Sequence, residues 1–111
     1  MTTTNFDALY GLLKKGVASV AKDTLNDYVT EARKDGEHAL DGLKDNLRHW
    51  TEEVENGALT AQDLSFLLKG EEALSEMVAL KQAGLAAVHV DTFRNGLVTM
   101  IVGTVTNLIK I

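Results

Sequence analysis

Apolar residues recur along this chain at steps of three and four, the spacing of a helix with one buried face. From Phe6 the series runs through Tyr10, Leu13, Val17, Val20, Tyr28 and Ala32, with Thr24 filling the gap. Beyond Gly36 it resumes as Leu40, Leu43, Leu47, Trp50 and Val54, and Asn56-Gly57 supplies the left-handed residue that ends a helix. Thr4-Asn5-Phe6-Asp7 and Thr60-Ala61-Gln62-Asp63 both place a Thr hydroxyl before the apolar run and an acid three residues on. That is the arrangement of a capping box, with Asp in place of the longer Glu or Gln.

After Thr60 one face carries Leu64, Leu67, Leu68, Leu74, Val78 and Leu85, and a second carries Phe66, Ala73, Met77 and Leu80. This helix is expected to be covered on two sides, with Gly70 interrupting the pattern without ending it. Around Gly84 to Asp91 the phase drifts. Val88-His89-Val90 predicts a break or short extended link there, with Asp91 as N-cap of a last helix bearing Phe93, Leu97, Met100, Ile101, Val105 and Leu108. Val98, Thr99, Ile101, Val102, Thr104, Val105 and Thr106 favour strand by propensity, but strict alternation is absent and the helix is preferred.

Asp35-Gly36 is the structural question. The apolar phase is kept through it, as in an unbroken helix. A helix over 5–55 would be about 75 Å long, whereas a compact domain of this size has a radius of gyration of only ~13 Å. Such a helix would overhang its own chain and need a partner. Breaking at Gly36 instead gives helices over about 5–34, 37–55, 60–84 and 91–110. The expected fold is therefore one all-α domain over 1–111, an antiparallel bundle of about four helical segments, completed by a second chain if the first helix is continuous.

Composition narrows the class. The chain has 111 residues, no Pro and no Cys. Average usage would give about five prolines, so their absence favours uninterrupted helices. Without Cys there is no disulfide framework, thiol nucleophile or Cys-based metal site. Eleven basic residues are scattered among sixteen acidic ones for a net charge of −5, which offers no footprint for a phosphate backbone, and nucleic acid is excluded as an expected partner. The first residues lack a basic region of the secretory type. The longest uncharged run, Asn95 to Ile109, falls short of the ~20 residues of a membrane span. A soluble, cytoplasmic, acidic protein is expected.

No chemical motif stands out. Asp35-Gly36-Glu37-His38 is the one near match to the Glu-x-x-His unit of di-metal bundles, which needs inward carboxylates from four helices. His38, Asp41, Asp45, His49 and Glu52 share a helix face, but opposite Leu40, Leu43, Leu47 and Trp50, so they read as a solvated stripe on which Asp41 is dispensable. Ser19, Ser65 and Ser75 lie in helical pattern outside any nucleophile elbow. The nine glycines are dispersed and form no phosphate loop. No catalytic, cofactor or metal residues are assigned.

The last helix carries the most unusual chemistry. Asn95 or Gly96, Thr99, Gly103 and Thr106 put small or short polar side chains along one face of an otherwise apolar segment. Glycine inside a helix costs about 1 kcal/mol against Ala, so Gly96 and Gly103 call for a packing reason. One is close approach of a second copy; the other is room for an intrachain neighbour such as Trp50 or Phe66. Trp50 itself reads as core and, if half-buried, as an interface anchor. Gly96, Thr99, Gly103 and Trp50 are thus the interface candidates of a helical interaction module, expected to form a homodimer or to bind another helical protein. That module is expected to be non-enzymatic; the alternative is a small-molecule or metal binder, an enzyme included, with a site between helices.

Overall fold

The computed structural model describes residues 5–109, and every regular element in that range is helical. The first stretch does not break at Gly36 and is not continuous either. Helix α1 spans Phe6–Thr24, a short 3₁₀ turn follows at Asn26–Tyr28, and α2 spans Val29–Glu55. The corner is chemical in origin. Thr24 turns its hydroxyl back to the Val20 carbonyl at 2.7 Å, and Leu25 leaves the helical region at φ −137°. Asn26 and Asp27, weak helix formers, then carry the 3₁₀ turn, while Leu25 stays buried as the corner's apolar pin. With α2 only 27 residues long, the overhanging 5–55 helix is gone, and so is its demand for a second chain.

The Thr4 cap lies outside the described residues; within them Asn5 caps α1, its side-chain oxygen accepting from Ala8 N at 3.3 Å. At the other end of the hairpin, Gly57 adopts φ +82°. Ala58 N donates to Glu53 O at 2.8 Å and Gly57 N to Val54 O at 3.1 Å, the paired bonds that close a helix on a left-handed glycine. The Thr60 capping box forms as its spacing predicts: Asp63 N donates to the Thr60 hydroxyl and Thr60 N to the Asp63 carboxylate, each at 3.1 Å.

The predicted 60–84 helix is three pieces: α3 (Ala61–Lys69), α4 (Glu72–Glu76) and α5 (Val78–Gln82). Gly70 does end α3, and Met77 separates α4 from α5 at φ 40°, ψ 51°, a left-handed conformation rare for a residue with a Cβ. Gly84, at φ +88°, closes α5. The last helix, α6 (Ala87–Ile109), begins before Asp91, so Val88-His89-Val90 is helical and Asp91 is not its cap. Asp91 instead accepts from the Arg94 guanidinium at 2.6 Å on the helix exterior. Residues 97–106 are helical, which removes the strand alternative.

Contacts between elements fix the register. Tyr10 reaches Asp41, and Val17 lies against Gly36, so α1 and α2 run antiparallel. Gly16 faces Met100 and Gly96 faces Val20, so α6 is antiparallel to α1 and parallel to α2. Gly36 sits where the three meet: a Cβ there would lie 2.5 Å from Val17 Cγ1 and 3.4 Å from Phe93 Cζ. The glycine that resembled a hinge is a contact point. Around it one buried cluster unites Leu13, Val17, Leu40, Leu43, Phe93, Leu97 and Ile101 with Leu64 and Leu68 of α3 and Leu74 and Leu80 of α4–α5. The molecule is an all-α bundle, 47 Å along its longest axis with a radius of gyration of 13.7 Å.

Candidate functional site

Because α6 packs on α1, α2 and α3, its core side is continuous: Val90, Phe93, Leu97, Val98, Ile101 and Val105 are buried. The opposite side is not. Thr92, Asn95 and Thr99 are exposed and Gly103 and Thr106 half-buried, forming an open flank at helical spacing, with Val102 at its edge packed partly on the core. No charged residue lies on it from Asn95 to Ile109. Thr106 returns its hydroxyl to the Val102 carbonyl at 2.9 Å, so its donor is used within the helix.

The four residues singled out by sequence take different places. Gly96 accommodates a neighbour from its own chain, but not Trp50 or Phe66: a Cβ there would stand 2.8 Å from Val20 Cγ1 and 3.7 Å from Thr24 Cγ2. Gly103 is the reverse case, with nothing among the described residues within 4 Å of where its Cβ would be. Thr99 lies exposed on the same flank. Trp50 belongs to α2 and is half-buried at the edge of the core. Phe66 points away from the core, 78% exposed, although its spacing suggested a second covered face. Tyr28, likewise expected on the core stripe, is 37% exposed at the corner between α1 and α2.

His38, Asp41, Asp45, His49 and Glu52 are all exposed, as a solvated stripe requires. No group of three or more His, Asp or Glu among the described residues is arranged to hold a metal ion. Asp41 is nonetheless more than a solvated acid. It accepts from the Tyr10 hydroxyl, and that phenol is 7% exposed. Burial, then the Asp41 hydrogen bond and charge, push the Tyr10 pKa well above the ordinary phenol value. The Lys44 and Lys14 ammonium groups lie 4.9 and 5.3 Å from its ring centroid. Arg48 covers the neighbouring Phe6 ring at 4.8 Å. This cluster ties α1 to α2 and keeps the charges at the surface.

Asp35, suspected as part of a helix break, has a role that its spacing does not predict. Only 7% exposed, it accepts from Ala79 N at 2.9 Å and Leu80 N at 2.8 Å, capping α5 from 44 and 45 residues away. An acid on an apolar face was the available signal, but spacing cannot show which distant amides it meets. Among the shallow grooves beside α6, one of about 310 Å³ lies against Leu68, Leu74 and Val98 and one of about 280 Å³ against Leu85 and Val90. Both share Ser75 and Arg94, and Arg94 is already paired with Asp91. No helix among the described residues is long and apolar enough to cross a membrane. No family model, curated protein or solved structure matches the chain.

Proposed function

We propose that this chain is a helical interaction module that self-associates through the open flank of α6. The observation that carries the reading is the uncharged run from Asn95 to Ile109, of which only one side is buried within the chain. A two-fold pairing of this flank would bring Thr99, Val102 and Gly103 of both copies together. Gly103, with open space above it, would let the backbones approach, and its helical cost would then have a reason. Gly96 is not part of that contact, since Val20 already fills the space beside it.

Sedimentation velocity over a micromolar concentration series tests this. A monomer–dimer equilibrium is expected for the native chain, and its loss is expected in Thr99→Arg, which sets two like charges against each other across the axis. A strict monomer at every concentration rejects the reading.

A further inference from the structure

The α4–α5 segment lies along α2 in a definite register. Asn46 donates to Glu71 at 3.2 Å, Ala73 Cβ would meet a Cβ on Gly42 at 3.3 Å, and Asp35 receives the amides of Ala79 and Leu80. Residues 71–83 therefore run antiparallel to α2 from Asn46 back to Asp35.

This segment is held differently from the rest of the bundle. Its two helices have five residues each, too few to persist without tertiary support. Met77 joins them in a left-handed conformation that a side chain disfavours. Glycines bound it on both sides, Gly70 at the end of α3 and Gly84 at φ +88°. Inside it, Lys81 donates to the Ser75 carbonyl at 3.1 Å and Ser75 to the Glu72 carbonyl at 3.0 Å, bonds that bridge or lie within the segment and survive its movement as a body. Its attachments to α2 are the buried side chains of Leu74, Met77 and Leu80, the Asn46–Glu71 contact at the rim, and the Asp35 carboxylate.

We propose that residues 71–83 form a strap that opens from α2 as a unit, hinged at Gly70 and Gly84, with Asp35 as its latch. Opening bares the α2 face between Asp35 and Asn46 together with Leu74, Met77 and Leu80, apolar surface that the closed form hides from any partner. The α1–α2–α6 core stays assembled, because its own contacts through Gly36, Gly16 and Gly96 do not involve the strap. Local opening of this kind is a sub-global unfolding with a cost below that of the whole fold.

Hydrogen exchange on the full chain, followed by mass spectrometry, tests it. Amides of 72–83 are expected to exchange together and faster than those in the middle of α1 and α6. Asp35→Ala removes two charge-assisted bonds and is expected to speed strap exchange by on the order of 10- to 100-fold while leaving α1 and α6 unchanged. The chain has no Cys, so Gly42→Cys with Ala73→Cys provides a clean second arm: their Cβ positions lie close to disulfide range. The oxidised double variant should slow strap exchange relative to its reduced form, and this comparison decides the matter if Asp35→Ala does not fold. Strap protection equal to that of α1 and α6, or no change on oxidation, overturns the proposal.

Discussion

Gly36 and Gly11 show how the surroundings of a residue decide the sign of one substitution. Both are helical glycines, and replacing either by Ala gains up to about 1 kcal/mol in helix propensity. At Gly36 the new Cβ would press on Val17, a β-branched side chain with little rotamer freedom, and on the Phe93 ring behind it. Overpacking of this kind costs about 1–3 kcal/mol, so Gly36→Ala should lower stability to urea by about 1–2 kcal/mol net. At Gly11 the Cβ would meet nothing within 4 Å among the described residues, and Gly11→Ala should raise stability by up to about 1 kcal/mol. Tyr10 carries a second residue-scale expectation. Its phenol is held neutral in the fold by burial and by its bond to Asp41. Above the ordinary phenol value of about 10 the unfolded chain releases this proton while the folded chain keeps it, so the unfolded state gains. Stability should be insensitive to this group below pH ~10 and fall as pH rises beyond it. Tyr10→Phe should remove that part of the alkaline fall. The difference between the two proteins' phenolate absorbance titrations should show a midpoint displaced upward.

Helix ends are where this chain is most readable, because caps are local chemistry. Thr60→Ala should cost about 1 kcal/mol in denaturant unfolding and Thr60→Ser much less, since Ser keeps the oxygen that accepts from Asp63 N. The Asn56-Gly57 stop and the Thr60 start were visible for the same reason, as was the helical character of the α6 region despite its β-branched content. The breaks were less visible. Stepping by four through Val20, Thr24, Tyr28 and Ala32 conceals the corner at Leu25, because spacing alone does not show that Tyr28 leaves the buried face there. Met77 gave no warning either, since nothing in the pattern of Leu74, Val78 and Leu85 marks a left-handed residue. Asp35-Gly36 misled for a physical reason. Asp and Gly together weaken a helix in isolation, but here Gly36 gives α1 and α6 their approach and Asp35 finds its donors in α5. Tertiary contacts of that range leave no trace in local spacing.

At the scale of the whole molecule, the loss of the 5–55 helix changes what self-association must rest on. An overhanging helix would have made a second chain a requirement of folding; a bundle with its own continuous core makes it a matter of surface chemistry. The two α6 glycines then separate folding from association. Gly96→Leu drives a branched side chain into Val20 and should destabilise the monomer, seen as a lower denaturation midpoint whatever the protein concentration. Gly103→Leu enters open space and should leave the midpoint of dilute protein nearly unchanged. If the flank is the interface, the same side chain stands between two backbones that must approach, and the dimer should weaken by at least tenfold in sedimentation, the result of about 1.4 kcal/mol of lost contact. Thr99 and Trp50 extend the comparison. Thr99→Arg should act like Gly103→Leu, since both lie on the open flank, whereas Trp50→Phe, on α2 at the core's edge, should alter stability and leave dimer affinity in place. Should Gly103→Leu and Thr99→Arg both dimerise as the native chain does, the flank is not the contact.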